Sequence, residues 1–178
     1  IKAYQSDFEC IAFDNRGTGK TDAPEGLLTT RLMAEDATGL LDALGVERAH
    51  VSGLSLGSCI AQELTLRRPD LVQTLQLHGT WARVHGYAAR KFRAQIRLLE
   101  ELDLRSFYEI NVLWFMTPQF MVRYPDQLAH QLDSIVAAAP STELLKQQYV
   151  ADLNHNTLDR LHEILVPTLV TVGSFDLA

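Results

Sequence analysis

The sequence predicts an α/β fold, on three observations. Short apolar runs with strand character at Ala49–Leu54, 72–79 and 167–173 are separated by stretches of helical periodicity. The first of these runs passes through Gly53-Leu54-Ser55-Leu56-Gly57 straight into a helical pattern, the order strand, tight turn, helix. The more than eighty residues between Gly79 and Pro167 read almost wholly as helix.

Composition fits one globular unit. The 178 residues are 47% hydrophobic and 21% charged, enough for one sizeable core, and no Pro-, Gly- or Ser-rich linker separates independent domains. A formal net charge of −6 argues against nucleic acid as a partner. Arg83, Arg90, Lys91, Arg93 and Arg97 recur at helical spacing beside Glu100 and Glu101, which reads as a solvated helix face. No apolar stretch approaches the ~20 residues that a membrane span needs, no signal peptide is visible, and a cytoplasmic location is the default expectation. Cys10 and Cys59 are expected as two buried, reduced thiols. No Cys/His cluster has metal-ligand spacing, so neither a metal nor an organic cofactor is expected.

Taken in order, Phe8-Glu9-Cys10-Ile11-Ala12-Phe13 reads as a buried strand running into Asp14-Asn15-Arg16-Gly17-Thr18-Gly19-Lys20-Thr21-Asp22. The tail Gly17-Thr18-Gly19-Lys20-Thr21 invites a phosphate-loop reading. That motif needs glycine where Asp14 stands, a carboxylate that would repel phosphate, and Asp22-Ala23-Pro24-Glu25-Gly26 is a loop with no helix N-terminus to hold an anion. An amphipathic helix follows, with Thr29 or Thr30 as N-cap, apolar Leu32, Met33, Ala37, Leu40, Leu41 and Leu44, and Gly45 at its close. After Ala49–Leu54, residues 56–68 place Leu56, Ile60, Leu64 and Arg67 on one helical face and stop at Pro69. Beyond the strand at 72–79, helical segments are expected at 83–102, 104–116, 126–139, 142–153 and 158–165, punctuated by Pro118, Pro125 and Pro140. The last strand, 167–173, runs into Ser174-Phe175-Asp176.

G-x-S-x-G in this setting is a nucleophile elbow, which makes Ser55 a candidate catalytic nucleophile. Glycines on either side relieve the Cβ collisions of a sharp turn, and the serine Oγ is left at its tip. The Leu56 N–H, at the start of the next helix, can donate to an oxyanion where the helix dipole favours negative charge. The pentapeptide also occurs by chance, and an ordinary Gly-flanked turn is the plainer reading.

Residues 14–22 resemble the D-x-R-G-x-G-x-S-D loop that follows the fourth strand in the α/β-hydrolase fold family, with Thr21 where serine is commoner. The intervening helix and the phrase Leu41-Asp42-Ala43-Leu44-Gly45-Val46-Glu47-Arg48-Ala49-His50-Val51-Ser52-Gly53 are similar to that family's approach to its elbow. The resemblance implies a partial, mainly parallel α/β-hydrolase sheet with an inserted helical cap, the core being residues 1–82 and 166–178 and the cap 83–165. It implies Asp176 as the triad acid, in a G-x-x-D pattern after the last strand, where a solvated loop aspartate is the plainer reading. It also implies a histidine base after Asp176. None of the six histidines fills that place. His78, near the C-terminal end of a strand, is a distant substitute. The residues are therefore expected to be the middle of a hydrolase of ~250–280 residues, without the earlier strands or the second oxyanion donor, and with little turnover of their own.

Trp81, Trp114 and Phe115 supply apolar surface that either lines a substrate pocket or packs cap against core. The activity the resemblance implies is hydrolysis of a small carboxylic ester or lactone through an acyl-Ser55 intermediate. Ser55 disfavours the dehalogenases and epoxide hydrolases of the family, which use aspartate at that place. The alternative is a non-catalytic binding or interaction module of the same fold. Oligomeric state is not written in the residues.

Overall fold

The computed structural model describes residues 2–22 and 26–176; the loop expected at Ala23-Pro24-Glu25 lies outside them, as do residues 1, 177 and 178. Helix α1 (Thr30–Ala43) begins where Thr29, in extended conformation, accepts the Leu32 N–H at 3.0 Å. Thr30 is instead the first helical residue, buried with its hydroxyl 2.9 Å from His155 Nδ1. Three strands follow in chain order, β1 (Ala49–Leu54), β2 (Val72–His78) and β3 (Thr168–Thr171), with α2 (Leu56–Arg67) between the first two. They form a parallel sheet in the order β1-β2-β3.

Register fixes where a site can lie. Leu54 stands opposite His78, and His78 opposite Thr171, so the C-terminal ends of all three strands are level. The ladder runs on past them, with Ser55 N–H donating to the His78 carbonyl (2.9 Å) and Gly79 N–H to that of Thr171 (2.8 Å). Ser55, Gly79 and the turn carrying Asp176 therefore leave one edge of the sheet, the edge where open α/β sheets bind ligands.

Between β2 and β3 lie α3 (Gly86–Glu101), α4 (Leu104–Phe115), α5 (Pro118–Arg123), α6 (Pro125–Ala138), α7 (Thr142–Asn154) and a 3₁₀ turn, Leu158–Glu163. Two apolar clusters hold the layers. Met33, Ala34 and Ala37 of α1 pack with Ile60, Ala61 and Leu64 of α2, with Val72, Leu75 and Leu77 of β2, and with Ala151 of α7. Phe92 and Leu99 of α3 pack with Phe107 of α4 and with Leu145 and Tyr149 of α7. Because α7 contributes to both, it ties the helical layer to the sheet layer. Val72 and Leu75 are fully buried, each contributing roughly 2 kcal/mol by removal from water. Helix α2 is buried at every position from Ser58 to Thr65, because the sheet, α1 and α7 cover it from several sides.

Four sequence expectations are corrected. Residues 8–13 form no strand: no ladder partner lies beside them, and Phe8, Ile11 and Phe13 are exposed. Cys10, in that unpaired stretch, is half-buried, whereas Cys59 is buried; both are free thiols. The segment expected at 158–165 is a 3₁₀ turn ending at Glu163. Pro118 and Pro125 start helices as well as ending them, each at a first helical position where its missing N–H costs nothing, and α5 was hidden between them.

The core also encloses charge. Glu63, 4% exposed, is ion-paired with Arg160 at 2.5 Å. Asp152 of α7 is 5% exposed with Oδ1 unbonded, and burial pushes its carboxyl up to about 8 against the pull of Lys91. Burial also pushes the His155 imidazole down to about 4. In the unfolded chain Asp152 titrates near its ordinary 3.8, so the fold keeps a proton that the unfolded chain gives up, and stability falls as pH rises towards 8. His155 acts in the opposite sense below its ordinary 6.5, where protonation favours unfolding and stability falls as pH drops towards 4. From pH 6.5 to 8 Asp152 is the one of the two that acts. Urea midpoints are therefore expected to fall over that window, and Asp152→Asn to flatten the fall; an unchanged slope in the variant would contradict this assignment.

Candidate active site

The elbow is built from close approach. Gly53, buried at the end of β1, lies so near the start of α2 that a Cβ there would sit 2.2 Å from the Gly57 carbonyl oxygen and 2.7 Å from Ser58 Cα. Those are backbone atoms that cannot swing away, so only glycine fits. Gly57 meets nothing comparable outside its own helix, so the collision relief expected of both glycines belongs to Gly53. The next turn forces Ser55 to φ 53° and ψ −125°, and it is the one non-glycine with positive φ among the described residues. Such backbone costs about 1–3 kcal/mol and persists only where the surroundings over-determine it.

Ser55 occupies the N-cap position of α2, yet its side chain makes no capping bond, and no other hydrogen bond holds Oγ among the described residues. Its carbonyl is fixed instead, accepting from Ser58 N–H at 2.8 Å and from the Ser58 hydroxyl at 2.5 Å. The Ser58 hydroxyl also lies 2.8 Å from Thr80 Oγ1, which accepts from Gln62 Nε2 at the same distance. Gln62 Oε1 in turn accepts from Thr157, and both residues are almost fully buried. A polar chain through the core thus holds the turn while the Ser55 hydroxyl stays uncommitted. Leu56 is the first residue of α2, where a backbone N–H has no partner within the helix.

Asp176 follows β3, its N–H donating to the Gly173 carbonyl at 3.0 Å and its Oδ2 lying 3.4 Å from where a Cβ on Gly79 would stand. It is exposed, whereas the chemistry expected of it calls for a buried carboxylate. No histidine is hydrogen-bonded to Ser55 Oγ among the described residues. His78 Nδ1 lies 2.5 Å from Thr171 Oγ1 and His50 Nδ1 lies 2.8 Å from Thr74 Oγ1. His155 is buried against Thr30, and His85, His130 and His162 lie at the start of α3, in α6 and in the 3₁₀ turn.

Trp81 is half-buried with its ring 5.5 Å from that of Phe92, and its Nε1 is enclosed without a partner. Trp114 is half-buried near the end of α4, and Phe115 beside it is exposed. Sequence reasoning went astray at Lys91, which is 6% exposed and not on a solvated face. The signal was present, since Lys91, Gln95 and Leu99 fall on one helical stripe and all three are buried. The loop at 14–22 closes on its own aspartate: Asp14 accepts the Lys20 N–H at 3.0 Å and fills the space a Cβ on Gly19 would need, while Arg16 pairs with Asp36 at 2.5 Å. Among the described residues no His, Cys, Asp or Glu cluster could hold a metal ion, and no helix is long and apolar enough to cross a membrane.

If the elbow stores strain at Ser55, glycine there relieves it while alanine keeps it. Ser55→Gly is expected to unfold at higher urea than Ser55→Ala, by about 1 kcal/mol after the entropy cost of glycine is subtracted. Equal stability of the two variants would mean the turn is not strained.

With this geometry in view, a family model described as alpha/beta hydrolase fold matches residues 1–177. A relative from Azorhizobium caulinodans named "Putative carbamate hydrolase RutD" is 30% identical over 176 residues, which cover 99% of this chain and 66% of the relative. A hydrolase from Pseudomonas aeruginosa PA01 superimposes with a TM-score of 0.76 at 29% identity, over 90% of this chain and 59% of the other. The enol-lactonase from Burkholderia xenovorans LB400 does so with a TM-score of 0.80 at 26% identity, over 90% and 60%. The chain thus spans about two thirds of the RutD relative and about three fifths of the two solved structures. A match over nearly every residue, on a parallel sheet whose first strand ends in a serine elbow, makes this chain a member of the α/β-hydrolase fold family.

Proposed function

We propose that this protein is a serine hydrolase that cleaves a small carboxylic ester or lactone through an acyl-Ser55 intermediate. The observation that carries the reading is the positive-φ backbone of Ser55, which presents an uncommitted hydroxyl at the C-terminal edge of the sheet. A turn with no chemistry to perform has no reason to hold a serine in backbone that glycine adopts freely.

In this mechanism Oγ attacks the substrate carbonyl as its proton passes to a histidine base. The Leu56 N–H takes up charge on the tetrahedral oxygen, aided by the α2 dipole. The base then protonates the leaving alcohol, and water repeats the sequence on the acyl-serine. Asp176 orients that base. Residues 83–165 act as a cap over the edge, and Trp81, Trp114 and Phe115 line the apolar side of the pocket. The likeness to an enol-lactonase supports a cyclic or open ester as substrate. The name of the RutD relatives favours a second substrate, a carbamate, which the same acyl-serine chemistry would process with an amine as leaving group.

In the complete protein, Ser55→Ala is expected to lower kcat on p-nitrophenyl acetate by at least about 10⁴-fold, and Asp176→Asn by on the order of 10⁴-fold. Undiminished turnover in Ser55→Ala would end the reading, and an unaffected Asp176→Asn enzyme would remove Asp176 from it. Wild-type protein inert towards esters, lactones and carbamates alike would leave a binding module of this fold.

A further inference from the structure

Lys91 is a cation in an unusual place. It lies on the inner stripe of α3, 94% removed from solvent, with its ammonium 5.1 Å from the ring centre of Phe92 and 5.5 Å from that of Phe115. Aromatic faces attract a cation without accepting strong hydrogen bonds. No ion pair or hydrogen bond to Nζ forms among the described residues. The residue keeps 6% of its surface exposed. Trp81 Nε1, Gln95 Oε1 and Asp152 Oδ1 are enclosed with no partner, and Lys91 Nζ is not among these fully enclosed atoms.

Ring contacts connect Lys91 to the end of β2: the Phe92 ring beside its ammonium lies 5.5 Å from the ring of Trp81, which follows Gly79 by two residues. Asp176 is the foremost carboxylate favouring its charged form and Asp152 is second, while burial works against that form. Lys91 thus stands between the exposed ring of Phe115 and the Phe92–Trp81 pair, and the chain just before Trp81, at Gly79, lies beside Asp176. A desolvated ammonium is unfavourable unless an anion meets it. No ion pair links Lys91 to Asp152 or Asp176 among the described residues, and Asp152 is itself held near neutrality by burial.

We infer that Lys91 is a specificity-determining residue that binds a carboxylate carried by the substrate, so that the enzyme prefers anionic esters or lactones to neutral ones of the same size. The inference rests on the acyl-serine reading of Ser55, since it is that substrate which Lys91 selects. One charge-assisted contact of this kind is expected to change discrimination by about 30-fold.

The test uses the complete protein and two ester pairs: mono-p-nitrophenyl glutarate against p-nitrophenyl butyrate, and 3-carboxyphenyl acetate against phenyl acetate. The readout is the anionic-to-neutral ratio of kcat/KM, which a fall in the folded fraction leaves unchanged. In the wild type at least one pair is expected to favour the anionic ester. Lys91→Met should cut that ratio by about 30-fold, chiefly through KM, and Lys91→Arg should restore part of it. A wild type without the preference, or a ratio unmoved by Lys91→Met, would overturn the inference; a lysine that merely steadied Asp176 would slow all four esters alike. Ser55→Ala, assayed in parallel, should abolish all four activities. If it does not, the acyl-serine reading has failed, an outcome distinct from a failure of the Lys91 ratio.

Discussion

The close approach of Gly53 to the first turn of α2 is the constraint on which the rest of the structure depends. It is a backbone-to-backbone contact with no room for a Cβ, and it fixes the angle at which the chain leaves the sheet. Ser55 pays for that angle with positive φ, and α2 is thereby aimed under the sheet, where eight consecutive residues are buried. The Ser58, Thr80, Gln62 and Thr157 side chains then lock the turn from behind through hydrogen bonds within the core. One glycine thus links local strain, core packing and the presentation of a hydroxyl.

The helical layer depends on the sheet layer through α7, whose Ala151 packs below while Leu145 and Tyr149 pack above. The same helix carries Asp152, a carboxyl kept largely protonated by its surroundings at neutral pH, close enough to Lys91 to act on its charge. Ionisable groups enclosed between two layers cost stability, which favours a functional reason for keeping them.

Much of this fold was legible in the sequence, and the reasons differ by element. Strand β1 and the elbow were readable because a strand, a glycine that no other residue replaces and a helix occupy a dozen contiguous residues. Helices α3, α4, α6 and α7 followed from periodicity, with boundaries off by a few residues at most. Residues 8–13 have strand composition, but a strand exists only with a neighbour to pair with, and composition cannot supply one. Helix α5 was missed because proline was read as a stop, though it serves equally well as a first residue. Lys91 was assigned to solvent because charge outweighed spacing, although its stripe with Gln95 and Leu99 pointed inward. Of the candidate site, the strand-to-helix turn that holds Ser55 and Leu56 was legible; the exposure of Asp176 and the surroundings of Lys91 depend on how distant segments pack, which no local motif encodes.

The central claim is that the strained turn presents Ser55 Oγ as a nucleophile with the Leu56 N–H placed for the oxyanion. The most direct measurement is a crystal structure of the complete protein after treatment with an alkyl fluorophosphonate. The account predicts a covalent bond from Ser55 Oγ to phosphorus, with a phosphoryl oxygen about 3 Å from the Leu56 nitrogen. An unmodified Ser55, or an adduct whose oxygens turn away from Leu56, would contradict it.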